Sequence, residues 1–227
     1  MSVSKSDFRA AIRSENITQL HMLFEQDSAK FFEFNYVTGH SSILHEAPAD
    51  TCSVKILASI LAMVIDVNSI GKKDGETPLV WAASSGIPEK VRYLLDQGAI
   101  LQTEKSIQNP LFGAIAGCYS IGGRDLPREN FSKIARMLLD AGIDATVRYD
   151  SPTMIDMDAM AFARMWGRWE IANMIAAHLH PDDPAGQAAA IERAIKSAQI
   201  TADHNDRIAK AEQAAEDAEY SAQQRGA

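Results

Sequence analysis

The apolar residues of this chain recur in short groups at three- and four-residue steps, a spacing that is typical of amphipathic helices. One group of three occurs four times, as Leu57, Ile60 and Leu61; Val91, Leu94 and Leu95; Ala135, Leu138 and Leu139; and Ile171, Met174 and Ile175. A second group joins a leucine to a small residue three places on, at Leu44 and Ala47, Leu79 and Ala82, and Leu111 and Ala114. Because the groups alternate along the chain, they predict repeated pairs of short helices.

Turn and capping residues stand at the ends of these predicted helices. Residues of N-cap type come directly before the first helix of a pair, at Ser42, Thr77, Asn109 and Asp158. Pro78 and Pro110 suit the first helical turn, where a missing N–H costs nothing. Gly98 and Gly142 follow the second helix, where the chain often needs a left-handed residue. The boundaries of the helices are therefore predicted independently of the apolar pattern.

The repeated pairs divide the chain into about five units, over residues 6–36, 40–70, 74–104, 107–148 and 154–180. A single short helix is marginal in water, whereas stacked pairs bury a shared core. We therefore expect an all-α fold in which residues 1–180 form a helix-turn-helix repeat solenoid. Residues 185–227 are rich in Ala, Gln and charge, and they predict a C-terminal helical extension.

The stretch DGETPLVWAASSGIPEKVRYLLDQGA, residues 74–99, resembles the ankyrin repeat. The motif of that family is a Thr-Pro-Leu-His-x-Ala-Ala box and a glycine, followed by an apolar helix that ends Leu-Leu-x-x-Gly-Ala. SILHEA, residues 42–47, keeps the histidine as His45, whereas Val80 and Phe112 replace it. The resemblance covers residues 6–180 and is closest over 74–102. It implies a non-enzymatic module that binds a partner protein through a concave face of turn tips and first helices.

Charge and composition narrow the choice of partner and compartment. The net charge is −8 and the 22 Lys and Arg residues are scattered, so nucleic acid and anionic membrane are poor partners, while a basic protein is allowed. The most apolar run, VKILASILAMVIDVN, is too short to span a bilayer, and the N-terminus lacks a signal-peptide pattern. Cys52 and Cys118 fit no metal motif and suggest a reducing compartment. We expect a cytoplasmic protein.

No pattern of catalytic residues stands out. The chain contains no GxxxxGK[ST] or GxGxxG phosphate loop, and its serines lack a nucleophile-elbow context. His178 and His180 lie two apart, so they do not share a helix face as metal ligands would. We therefore predict no catalytic residue, no cofactor and no metal, and an enzyme remains only a remote alternative.

Two kinds of position are expected to contact a partner. The first kind lies at the turn tips of the units and at the exposed ends of their first helices. By the repeat register, these positions are Lys73, Asp74, Glu76, Ser84, Ser85, Met165 and Trp166. The second kind lies in segment 117–130, which makes the fourth unit longer than the third. Its expected contact residues are Tyr119, Arg124 and Arg128. Exposed Trp and Met are typical of interfaces, but Trp166 could instead cover the C-terminal segment. The segment 117–130 could be a tolerated surface loop, and Trp81 and Trp169 could pack between units.

The extension allows three arrangements. Ile191, Ile195, Ala198 and Ala202 form a narrow apolar stripe at helical spacing. The helix could fold back on the fifth unit as a cap, it could project and pair with a partner or with a second copy of the chain, or it could fray. Pairing with a second copy would make the protein a homo-oligomer.

Two functional classes follow from the expected binding module. A small acidic module could be an inhibitor that occludes its target, such as an antitoxin or an immunity protein. Alternatively, it could be an adaptor or a host-directed effector scaffold, in which the extension supplies a second contact site. An inhibitor forms a one-to-one complex that abolishes the activity of its partner, and this outcome distinguishes the two.

Overall fold

The computed structural model of the chain describes residues 3–33, 52–63, 66–70, 76–101, 109–117, 127–151 and 153–225. The chain divides into two compact units, Met1–Asp144 and Ala145–Ala227. Each is described here by itself. In the described ranges, no helix combines the length and the hydropathy that crossing a membrane requires.

The described helices of the first unit are mostly short, and six of the eight form consecutive pairs. They are α1 (Lys5–Arg13), α2 (Ile17–Gln26), α3 (Ser28–Glu33), α4 (Val54–Met63), α5 (Pro78–Ser84), α6 (Pro88–Asp96), α7 (Pro110–Ala116) and α8 (Arg128–Asp140). The pairs α1/α2, α5/α6 and α7/α8 correspond to the predicted units. The helix α4 is the second helix of the unit predicted over 40–70. The residues predicted to precede it, including Ser42, Leu44, His45 and Ala47, lie outside the described residues.

Local signals account for the starts and ends of these helices. The Thr77 hydroxyl accepts a hydrogen bond from the Val80 N–H at 3.4 Å, and the Asn109 side chain accepts one from the Leu111 N–H at 2.8 Å. The predicted N-caps at these two positions are therefore confirmed. Gly142, after α8, has a φ of 89°, and Gly98, after α6, has a φ of 82°, as the predicted left-handed ends require.

The core of the first unit consists of the predicted anchors. Leu79, Ala82, Leu111 and Ala114 are completely buried, which places α5 and α7 against one another. Gly113 shows how close the two helices lie, because a Cβ atom there would stand 2.5 Å from the Ser84 Oγ atom. The small residues of α5 and α7 thus allow a tight helix–helix contact that larger side chains would prevent.

Asparagine side chains tie neighbouring turns together in the first unit. The Asn68 side chain accepts a hydrogen bond from the Ile100 N–H at 2.8 Å and donates one to the Gly98 carbonyl at 3.3 Å. The Asn130 side chain donates to the Gly86 carbonyl at 3.0 Å. These bonds satisfy backbone groups that the short helices leave without partners.

The second unit begins with a hairpin that the sequence analysis did not predict. The strands β1 (Arg148–Ser151) and β2 (Met154–Asp158) are antiparallel, and Tyr149 lies opposite Met157. Asp158 ends β2 and caps the following helix, since its carboxylate accepts the Ala161 N–H at 2.7 Å. The capping prediction is confirmed, and the fold is mostly helical with few strands, in agreement with the predicted all-α class.

Three helices follow the hairpin: α9 (Ala159–Met165), α10 (Trp169–Leu179) and the long α11 (Pro184–Arg225). α11 packs against α9, α10 and β2 through Ala190, Ala194 and Thr201, which are buried. The Thr201 hydroxyl also accepts a hydrogen bond from the Ile155 N–H at 3.4 Å. The first half of α11 therefore adopts the folded-back arrangement among the three alternatives.

The predicted apolar stripe of α11 is not its buried face. Ile195 is 45% exposed and Ala202 is exposed, while Ile191 and Ala198 are half-buried at the edge of the contact. The small side chains of Ala190 and Ala194 let α11 approach α9 and α10 closely. The buried face of α11 is therefore rotated about the helix axis by one residue, or about 100°, from the predicted stripe. The second half of α11 is exposed from Ala209 to Asp217, and i,i+4 hydrogen bonds such as Lys210–Asp206 support it.

Candidate functional site

The turn between α9 and α10 has a closely defined backbone. The Gly167 N–H donates to the Arg164 carbonyl at 3.1 Å, and the Arg168 N–H donates to the Ala163 carbonyl at 2.7 Å. These two bonds, with a φ of 66° at Gly167, form a Schellman motif. The motif sets the directions in which the residues on both sides of the turn leave the backbone.

Large side chains surround this turn. Trp166 is 44% exposed and rests against Phe162, with ring centroids 6.0 Å apart. Trp169, the first residue of α10, is 51% exposed, and the guanidinium carbon of Arg164 lies 3.6 Å from the centre of its ring. Met165 is half-buried at the end of α9. We call Arg164, Met165, Trp166 and Trp169 the tryptophan patch.

The electrostatics of the patch depend on Arg164. Partial burial lowers the pKa of this guanidinium, because an apolar environment disfavours the charged form. An arginine starts from so high a pKa that it stays protonated at neutral pH. A cation over an indole face contributes about 0.5–2 kcal/mol, so the stack holds both side chains in place. The patch offers an apolar contact surface with one fixed positive charge.

The residues near α5 that were predicted to contact a partner differ from the tryptophan patch in their exposure. Ser84 and Ser85 are each only 2% exposed, so the expectation that they lie at an exposed helix end is wrong. Their hydroxyls donate to the Val80 and Trp81 carbonyls, at 2.9 and 2.6 Å. α7 packs over this end of α5, as the short distance from Gly113 to Ser84 shows. Glu76 is half-buried, and Lys73 and Asp74 lie outside the described residues.

The excess segment of the fourth unit is shorter than predicted at its C-terminal end. Gly117 ends α7 in a left-handed conformation with a φ of 53°, and α8 begins at Arg128. Residues 128–130 are therefore helical, and the prediction that the irregular segment extends to residue 130 is wrong. Arg128 itself is exposed, as its predicted role requires. Tyr119 and Arg124 lie outside the described residues.

The sequence analysis missed a shallow groove on the first unit. The groove has a volume of about 490 Å³, and α4, α6 and α8 contribute its lining. Val54, Tyr93 and Met137 supply half-buried apolar surface, while Glu89 and Asp96 are exposed beside them. These residues fall between the repeated anchors of the second helices, so the repeat pattern contained no signal for them.

The described ranges contain no cluster of side chains of the metal-binding type. No group of three or more His, Cys, Asp or Glu residues is placed there to hold a metal ion. Cys52 is buried, and its sulfur lies 3.6 Å from the Lys90 ammonium nitrogen.

Comparisons with known proteins agree with this description. Residues 9–149 match a family model described as ankyrin repeats in three copies. An ankyrin repeat domain from Acinetobacter baumannii AYE is 25% identical with a TM-score of 0.55, and the match covers 74% of this chain and 78% of that chain. The human ASB11 ankyrin repeat domain is 18% identical with a TM-score of 0.56 over 84% of each chain, which shows a common fold alone. Among curated proteins, no sequence matches significantly.

Ankyrin repeats generally mediate protein–protein interaction. Domains of this kind are typically non-enzymatic.

Proposed function

The chain belongs to the ankyrin repeat family, and from this premise we propose that it is a non-enzymatic module that binds a partner protein through the tryptophan patch. The observation that carries the proposal is the pair of tryptophans, 44% and 51% exposed, on either side of one well-defined turn. Trp and Arg are enriched among residues that dominate binding energy, and a rigid turn reduces the entropy lost on association.

Further contacts are proposed along the repeats. Glu76 and the exposed Arg128 are retained from the sequence analysis, together with Lys73, Asp74, Tyr119 and Arg124. Ser84 and Ser85 are withdrawn, because buried hydroxyls that already donate to their own helix have little to offer a partner. The arrangement of five units over 1–180 with an extension over 185–227 belongs to the same proposal.

Binding is proposed to inhibit a cytoplasmic partner by occlusion, as an antitoxin or an immunity protein does. The net charge of −8 supports a partner of net positive charge, because opposite charges accelerate association over long range. An adaptor is the second candidate. The observation that favours it is the exposed second half of α11, which supplies a surface apart from the patch.

The proposal is tested with the full chain as bait in an extract of its source cell. The test variant is Trp166→Ala with Trp169→Ala, and the matched control is Ile195→Ala with Ile200→Ala, which also removes two exposed apolar side chains. A partner captured by the wild type and by the control, but not by the test variant, is then purified. We expect the test variant to bind that partner about 30-fold more weakly or worse, since central aromatic residues often contribute 2 kcal/mol or more.

Equal affinity of the wild type and the test variant, with circular dichroism showing both folded, would remove the patch from the proposal. The stoichiometry of the purified complex and the activity of the partner then separate the two candidates. A one-to-one complex without partner activity supports an inhibitor. A complex with an active partner and a second bound protein supports an adaptor.

A further inference from the structure

Arg164 has a fixed position and a positive charge that the described residues do not balance. In the described part of the chain, its Nε atom is buried and has no hydrogen-bond partner. Within the part of the chain that the structure describes, no carboxylate forms an ion pair with Arg164. Its stacking on Trp169 is therefore the contact that holds the guanidinium. A desolvated cation without a hydrogen-bonded anion costs free energy.

A compensating anion can approach the Arg164 guanidinium from the solvent side. The Nε atom is buried while the residue as a whole is only half-buried, so the terminal amino groups form the part that faces solvent. One face of the Trp169 ring carries the guanidinium, and half of the ring surface remains exposed beside it. A carboxylate is planar and matches the guanidinium fork with two parallel hydrogen bonds.

From this arrangement we propose that the tryptophan patch selects a segment of a partner protein that carries an Asp or Glu side chain next to a large apolar side chain. The carboxylate pairs with the terminal amino groups of Arg164, and the apolar side chain contacts Trp166 and the free surface of Trp169. The partial burial that lowers the pKa of Arg164 also strengthens the pair, since water screens it less. The inference rests on the proposed function and adds the chemistry of the recognised segment.

A local preference for a carboxylate is compatible with a partner of net positive charge. Net charge acts through the long-range field and mainly changes the association rate, whereas a desolvated pair acts at contact and fixes register. With a chain of net charge −8, an acidic segment on an otherwise basic partner would satisfy both requirements.

The test first selects random peptides that bind the full chain by phage display. The selected peptides are then synthesised with amidated C-termini, and their affinities for the full chain are measured. Amidation removes a terminal carboxylate as an alternative anion. We expect the selected peptides to contain Asp or Glu beside Trp, Phe or Leu. Replacing that acid with its amide should weaken binding about tenfold or more, because a hydrogen bond between two charged groups contributes more than one between neutral groups.

The decisive comparison is the same peptide pair on three variants. On Arg164→Gln, the acidic and the amide peptide should bind equally. On Arg164→Lys, part of the difference should return, since the charge remains without the planar fork. On Arg193→Gln, which removes an exposed arginine of α11, the full difference should remain. Selected peptides without an acid, the same difference on Arg164→Gln, or an absence of selected binders would overturn the inference.

The variant Trp166→Ala with Trp169→Ala separates this inference from the function on which it rests. If that variant loses the natural partner while Arg164→Gln keeps it at full affinity, the patch binds a partner but not through a carboxylate. If neither change affects the partner, the proposed function itself fails.

Discussion

At the residue scale, Glu15 has a strained backbone conformation, and its side chain makes a stabilising hydrogen bond. Its φ is 55°, in the left-handed region, at the turn between α1 and α2. The corresponding turns after α5 and α9 have Gly86 and Gly167 there, both with a φ of 66°. A side chain in this conformation costs about 1–2 kcal/mol. The Glu15 carboxylate compensates by accepting the Ser53 N–H at 3.0 Å, directly before α4.

Two substitutions at Glu15 separate the strain from the contact. Glu15→Ala keeps the strained backbone and loses the hydrogen bond, so we expect the free energy of unfolding to fall by about 1 kcal/mol. Glu15→Gly loses the same hydrogen bond but removes the strain, and it should be about 1 kcal/mol more stable than Glu15→Ala. Urea unfolding measures both. An alanine variant as stable as the glycine variant would contradict this explanation.

At the element scale, the contact between α5 and α7 depends on the absence of a side chain. A Cβ atom at Gly113 would lie 2.5 Å from the Ser84 Oγ atom and 3.2 Å from the Val80 carbonyl oxygen. The first of these atoms can move, but only by breaking the hydrogen bond from Ser84 to the Val80 carbonyl. Glycine is otherwise unfavourable inside a helix, so its presence here indicates that close packing outweighs helix propensity.

We therefore predict that Gly113→Ala lowers the free energy of unfolding by about 1–3 kcal/mol, although alanine is the better helix former. In a Ser84→Ala background the same change should cost less, because the nearest atom is gone. Thermal unfolding followed by circular dichroism compares the four proteins of this cycle. A stabilised Gly113→Ala variant would show that the two helices are further apart than described.

At the scale of the whole molecule, the compact unit Ala145–Ala227 depends on only part of its longest helix. Ala190, Ala194 and Thr201 cover α9 and α10, whereas residues 209–217 are exposed. Helical propensity and pairs such as Gln213–Asp217, at 3.0 Å, support the exposed part. The first and second halves of α11 therefore have different physical roles.

Deletion of residues 185–227 should lower the unfolding temperature of this unit by about 10 °C or more, because it uncovers α9 and α10. Deletion of residues 211–227 should leave it nearly unchanged. A matched pair of point variants, Ala194→Glu at a buried position and Ala211→Glu at an exposed one, should show the same contrast. Fluorescence of Trp166 and Trp169 in a Trp81→Phe background reports on this unit alone. An equal fall in the unfolding temperature after both deletions would contradict the different roles of the two halves of α11.

Much of the fold could be predicted because its signals are local. The caps at Thr77, Asn109 and Asp158 and the glycines at 98 and 142 each act within one or two helical turns, and the structure has them where they were expected. Apolar steps such as Leu79 with Ala82 and Leu111 with Ala114 are buried as well. The hairpin before α9 was not predicted. Asp158 was interpreted only as an N-cap, and the pairing partner of β2 is a separate segment, 148–151.

The candidate site was predictable only in part. Ser84 and Ser85 stand at the end of α5 as Met165 and Trp166 stand at the end of α9, so the repeat register treats the two pairs alike. Their exposure differs, 2% at Ser85 against 44% at Trp166. α7 covers the end of α5, and its packing depends on Gly113, almost 30 residues away.

By itself, then, the sequence determined the helical repeat, its register and the backbone of its turns, because periodicity, capping and left-handed glycines are short-range properties. Tertiary structure alone decided which helix ends stay open to solvent and which face of α11 is buried. It also decided that Arg164 stacks on Trp169 with no balancing carboxylate among the described residues. Exposure and charge compensation depend on which elements pack together, and no single segment contains that information.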